Sequence, residues 1–274
     1  VTIKLNIKNK TGMSLIGLLI GMALSAVILA GMLQLFSSMN RSAQLIKNEI
    51  ELNETLLFVV QNMSKIIAQA GHIRPSTVHK QPLLYTFTPS DALTTYPSWF
   101  LYTQTSTTHH NDLWVRFQYD AAANIQHCDG TVLLPGTDSG KYSRYALTGS
   151  FPYDLECNID DPISIPGQYK TITLAKGMTA RLYFKFAEDA NLDGAIDRYL
   201  DYPTSVINSG YNRFNYATKA IRVGLIMRTK SIVFPSSTTK SFSLFKNKTV
   251  TFTDRYLYKS VVFTIPLLDA PQDY

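Results

Sequence analysis

No charged residue occurs between Lys10 and Arg41, and the interval is filled with apolar side chains from Met13 to Phe36. A run of this length can cross the hydrocarbon of a bilayer as one helix, which needs roughly 20 residues. Beyond it the apolar positions Leu45, Leu52, Leu56, Val59, Met63, Ile66 and Ala70 keep a spacing of three and four, broken once by Glu49. That period marks one buried face of a helix. Gly71 and Pro75 then supply stop signals. The pattern predicts a single helix from Met13 to about Ala70, roughly 85 Å long at the standard rise per residue. Residues 13–36 form a transmembrane or bundle-core half, and residues 37–71 an amphipathic continuation that packs against a globular domain.

After Pro75 the period changes to two. Leu83–Phe87 and Leu113–Tyr119 read as strands, the second with Leu113, Val115, Phe117 and Tyr119 on one face. Asp120–Gln168 is rich in glycine and proline and reads as an elaborated middle loop. Three further strands are predicted at Ala180–Phe186, Ala220–Met227 and Tyr256–Ile265. The expected fold class is α+β, with a long N-terminal helix packed on a mostly antiparallel sheet in a β-rich domain over residues 76–274.

Composition supports this division. Of the 274 residues, 16 are Tyr and 14 Phe, while charged residues make up 17%. Such a balance suits a β-rich extracytoplasmic domain better than a helical cytosolic enzyme. Lys4, Lys8 and Lys10 precede the apolar run. Basic flanks stay on the cytoplasmic side, so the chain beyond the helix is expected to face the periplasm from a single-pass inner-membrane anchor. A secretory signal peptide also begins with basic residues, but its apolar core is shorter and is followed by a cleavage site rather than by a helical pattern.

Gly12 followed by Met13-Ser14-Leu15-Ile16 resembles the processing site of the type IV pilin class, in which a basic leader ends in glycine and the residue after the cut is methylated. The resemblance implies a leader over residues 1–12 removed by a prepilin peptidase, with Met13 as the new, N-methylated terminus. Gly17 stands where that class usually carries glutamate. A carboxylate there is explained by pairing with the terminal ammonium of a neighbouring subunit, so its loss fits a tip position; drift, or another register, accounts for it equally well. Ala220–Thr229 and Asp254–Leu267, with the turn at Asp193-Gly194 and a cysteine-containing middle region, resemble PilW-like minor pilins. Residues 76–170 as a whole match no part of that family. The resemblance implies a fimbrial subunit that helps start pilus assembly on the inner-membrane platform with other minor pilins and the major pilin, and that ends in the extracellular pilus. J-type pseudopilins of type II secretion share the architecture, and a stand-alone membrane-anchored periplasmic binding protein is the remaining alternative.

Cys128 and Cys157 are the only cysteines. In an oxidising compartment they pair naturally into a disulfide; a catalytic thiol beside His127 is the competing reading. Asp189, Asn191, Asp193 and Asp197 present oxygen ligands around Gly194 with the spacing of the first part of a calcium loop, and Asp201 follows one place beyond its twelfth position as a further candidate ligand. Leu200 occupies the position where such loops place a bidentate glutamate, and an acidic turn whose side chains serve nearby amides is the alternative. His109-His110 is a poor metal site, because neighbours on a strand point opposite ways. From Arg213 to Lys259 ten Lys and Arg face the single acid Asp254. Such a surface over residues 213–259 suits nucleic acid, lipopolysaccharide or an acidic partner subunit; a solvated sheet face is the alternative and the more common one. No nucleophile-elbow, zinc-helix or phosphate-loop spacing occurs, so no enzyme is expected.

Overall fold

The structure is a computed structural model and describes residues 15–70, 101–105, 111–117, 124–132, 141–160, 169–189, 191, 193–200, 218–246 and 248–267. The chain divides into two compact units, Val1–Lys47 and Asn48–Tyr274. One helix, α1 (Leu15–Ala68), runs through the boundary. In the first unit every residue from Leu15 to Gln44 is exposed.

In the second unit the helix becomes one layer of a domain. Leu52, Val59, Met63, Ile66 and Ile67 are buried and pack into one cluster with the sheet. Each such side chain withdrawn from water contributes about 1.5–3 kcal/mol. Glu49, the break in the apolar stripe, is satisfied by Lys259, whose Nζ lies 2.8 Å from Glu49 Oε1 and 2.7 Å from Asn53 Oδ1. Lys230 makes a similar pair with Glu51 at 2.7 Å.

The strands are β1 (Leu101–Thr105), β2 (Asn111–Phe117), β3 (Lys141–Thr148), β4 (Tyr153–Asp160), β5 (Tyr169–Glu188), β6 (Arg198–Leu200), β7 (Thr218–Arg228), β8 (Thr238–Phe245), β9 (Lys248–Asp254) and β10 (Tyr258–Pro266). Eight of them form one antiparallel sheet in the order β1-β2-β3-β4-β5-β7-β10, with β6 paired to β5. The helix-plus-antiparallel-sheet layout is thus present. The predicted strands 113–119, 180–186, 220–227 and 256–265 correspond to β2, β5, β7 and β10, although Gln118 and Tyr119 lie outside the described residues, as does all of 83–87.

The middle segment differs from its reading as a loop. Within Asp120–Gln168 the chain makes β3 and β4, paired from Ser143↔Ile159 to Thr148↔Asp154. Burial of Tyr145, Ala146, Leu155, Cys157 and Ile159 holds them in the sheet despite the Gly149-Ser150-Phe151-Pro152 connection.

A third layer is also unanticipated. The hairpin β8-β9 lies on the face of the sheet opposite α1, where Leu244, Phe245 and Phe252 cluster with Ala180, Ile226 and Tyr258. Gly224 makes this contact fit: a Cβ there would stand 2.9 Å from Phe245 Cζ and 3.4 Å from Leu244 Cβ. Strand glycine marks close approach of another group. Covered on both sides, β7 is buried at every position except Lys219 and Arg222, which explains its nearly continuous apolar run.

Candidate functional site

The first candidate surface is the bare part of α1. Leu15 is 76% exposed, Met39 70% and Leu35 67%, with no interruption by charge before Arg41. This is the one helix among the described residues that is long and apolar enough to cross a membrane. Ser25, a polar side chain inside it, donates from Oγ to the Gly21 carbonyl at 2.8 Å and needs no outside partner. An apolar surface this large requires lipid or other helices to cover it. Gly17, Gly21 and Gly31 have open space around them, so a neighbouring backbone can approach closely there. Gly12 and Met13, the processing residues, lie outside the described residues.

The second constellation fastens the end of α1. Cys128 and Cys157 form a disulfide, with Cα atoms 6.4 Å apart and both residues buried. Cys157 sits on β4 opposite Tyr145 of β3, and Cys128 lies in the turn closed by the Gln126↔Val132 bridge. Asn62 of α1 joins the two: its Nδ2 donates to the Cys128 carbonyl at 2.7 Å, and its Oδ1 accepts from the Tyr145 hydroxyl at 3.0 Å. Burial pushes the Tyr145 phenol well above its usual pKa, so it remains a donor. One turn further on, Lys65 donates to Gln126 Oε1, and the Gln126 amide donates to Gln69 Oε1 at 2.9 Å. Asp129 completes the turn, accepting from Lys170 Nζ at 2.7 Å and from the Thr131 amide at 2.8 Å. Burial alone would raise its pKa, but these partners outweigh it and hold the carboxyl below the usual range.

The third constellation is the acidic turn between β5 and β6. Asp189 is fully buried; its Oδ1 accepts from the Asp193 amide at 3.1 Å and its Oδ2 from the Gly194 amide at 2.9 Å. Asp193 Oδ1 accepts from Ala195 N at 2.8 Å, Asn191 Oδ1 accepts from Asp193 N at 3.1 Å, and Asp197 Oδ2 accepts from Asn191 N at 3.4 Å. Gly194 adopts φ 91°, the left-handed conformation that the turn requires. Lys219 Nζ lies 3.9 Å from Asp189 Oδ2. Among the described residues no group of three or more His, Cys, Asp or Glu side chains is placed to share a metal ion. Asp201 and His109-His110 lie outside the described residues, and the calcium reading rests on the sequence spacing alone.

Asp189→Ala is expected to cost about 2–4 kcal/mol in urea unfolding, because it strands two amides and Lys219 at a buried position. Asp193→Ala, at an exposed position, should cost much less. The same samples test calcium: an ion held by Asp189, Asn191, Asp193, Asp197 and Asp201 would raise the melting temperature of the wild type but not of Asp189→Ala. A flat response in both removes the ion from the reading.

The basic stretch separates into two sets. Lys219, Lys230, Lys240 and Lys259 are ion-paired to Asp189, Glu51, Asp254 and Glu49. Arg228 is buried, with its guanidinium 3.8 Å from the Tyr256 ring centroid, and Arg255 Nε donates to the Phe234 carbonyl at 2.9 Å. Arg222, Lys246 and Lys248 belong to the other set, with no ion pair to any carboxylate among the described residues. Arg213 lies outside them.

No protein-family model matches this sequence, and no curated protein matches it. The functional reading therefore rests on the geometry above and on the residues of the N-terminal segment.

Proposed function

We propose that this chain is a PilW-like minor pilin, a subunit that takes part in starting type IV pilus assembly. The observation that carries the reading is the division of α1, whose exposed apolar part continues into a part buried against an antiparallel sheet. A helix built this way gives an assembly machine two handles, a membrane-soluble rod and a folded periplasmic head.

The sequence Gly12-Met13-Ser14-Leu15-Ile16 supports leader removal by a prepilin peptidase and methylation of Met13. The inner-membrane platform would then move the rod from lipid into a bundle with the major pilin and other minor pilins. That transfer costs little, because apolar side chains exchange lipid contacts for helix contacts of similar strength. The disulfide supports a periplasmic position for the head, since such bonds persist in that compartment. A role as non-enzymatic scaffold follows from the same reading.

The test is the mass of the mature N-terminus, measured with and without prepilin peptidase. The expected result is a chain beginning at methylated Met13 only when the enzyme is present. A chain retaining residues upstream of Met13 under both conditions would overturn the reading in favour of a stand-alone anchored protein. Recovery in secretion pseudopili, and not in pili, would assign it to the J-type pseudopilins.

A further inference from the structure

Where the β3-β4 turn meets the β8-β9 hairpin, two arginines share one exposed ring. Phe151 lies in the turn Gly149-Ser150-Phe151-Pro152 and is 42% exposed. Arg228 Cζ, at the end of β7, is 5.2 Å from its centroid, and Arg181 Cζ of β5 is 5.9 Å away. Phe151 stacks on Phe252 of β9 at 6.1 Å, and Phe252 on Tyr258 of β10 at 4.5 Å. The arginines are thus set against a wall of rings that ends in solvent.

Among the described residues neither guanidinium has a carboxylate within ion-pair distance. Arg181 Nη1 donates to the Ala180 carbonyl at 2.8 Å. Arg228 is buried with its Cζ 3.8 Å from the Tyr256 centroid, and its Nε has no hydrogen-bond acceptor. Asp254, the acid bonded to the Tyr258 hydroxyl, is committed elsewhere: it also accepts from the Tyr256 amide and lies 3.6 Å from Lys240 Nζ. Burial first, and then Asp254, hold the Tyr258 phenol above its usual range against the pull of Arg228, so Tyr258 is neutral and balances neither arginine. Rings attract cations over their faces, but a buried guanidinium with an unused donor still lacks the partner that such a charge ordinarily has.

We infer that Arg181, Arg228 and Phe151 form a binding site for a carboxylate carried on a sugar ring, as in an acidic polysaccharide. A guanidinium presents paired donors that match the two oxygens of a carboxylate. The open side of Phe151 offers an electron-rich apolar face to the C–H side of the same sugar. A few convergent polar groups against an aromatic wall are the ordinary make-up of a small-ligand site. An inorganic anion or an acidic peptide would use the arginines and leave the ring idle. The inference uses only the folded domain and is independent of the assembly reading.

The experiment is isothermal titration calorimetry of the full chain in detergent with trigalacturonate, and with its methyl ester, triglutamate and sulfate for comparison. The expected result is saturable binding of trigalacturonate that weakens as salt is raised, no binding of the uncharged ester, and weaker binding of triglutamate and sulfate. Arg181→Gln should weaken trigalacturonate binding about tenfold, the loss of one charge-assisted hydrogen-bonded pair. Phe151→Ala should weaken it severalfold. Both residues reach the surface, so these variants should fold, and circular dichroism verifies it; Arg228 is buried and is left intact. Absence of trigalacturonate binding, equal binding of the ester, triglutamate or sulfate, or indifference to either substitution would each overturn the inference; equal affinity for triglutamate would mark a surface for acidic peptides.

Discussion

Replacing Cys128 by serine is expected to lower the stability of the domain by about 3–4 kcal/mol, the loop-closure contribution for a separation of 29 residues. For a domain of this size each kcal/mol moves Tm by roughly 2–4 °C, so melting should fall by about 10 °C. The loss should also be local at first. The turn that carries Cys128 is what presents a carbonyl to Asn62 and an amide to Gln69, so its release frees the last turns of α1. Hydrogen exchange of Asn62–Ala68 should accelerate at temperatures where β7 and β10 remain protected. Cys157→Ser should behave alike, and the double variant should be no worse than either single one. A double variant that loses the sum of two independent penalties would show that each cysteine acts through packing rather than through their bond.

Placing aspartates at Leu24 and Val27 together should remove the chain from the membrane. Both lie in the middle of the uncharged run and are exposed, at 59% and 71%. An aspartate at the centre of a membrane helix costs about 2.5–3.5 kcal/mol on the insertion scale, so the pair costs roughly 5–7. That is a shift of about four orders of magnitude in the partition equilibrium. The folded domain should be unaffected, because neither residue contributes to its buried cluster. Alkaline extraction of membranes measures the outcome, with Leu24→Ile/Val27→Ile as the control that keeps the apolar surface. Full retention of the doubly charged variant would mean that something other than this helix holds the chain.

Much of this architecture was open to reading because its signals are local. The absence of charge before Arg41 and the three-and-four spacing after it mark α1 to within a few residues of its bounds. The partner of Glu49 is not local: Lys259 lies 210 residues away, and the break in the stripe makes sense only once that lysine is beside it. The apolar run Ala220–Met227 identified a strand but could not say what covers its second face, since the cover is supplied by a Ser- and Thr-rich hairpin. In that hairpin Phe242 and Leu244, then Val250 and Phe252, alternate with polar residues, a signal that was available and was masked by the surrounding turn-forming composition. The alternation Leu155, Cys157 and Ile159 on β4 was hidden in the same way by glycine and proline on either side. Sequence charge treated residues 213–259 as one basic region. Pairing in three dimensions divides it, and no linear pattern distinguishes Lys259, committed to α1, from Lys248, which faces outward.

The fastenings between α1 and the sheet have a mechanical meaning. They are spread along the helix, with Glu49 and Glu51 near one end and Asn62, Lys65 and Gln69 near the other, roughly 30 Å apart at the helical rise. A pull along the helix axis would strain all of them in shear at once, rather than peel them open one after another. The fastenings at the C-terminal end of α1 are made to a turn that the disulfide bonds to β4. Under such a pull the turn that holds the end of α1 could not shift away with the helix, because the Cys128–Cys157 bond ties it to β4, and the hydrogen bonds of Asn62 and Gln69 would have to break in place.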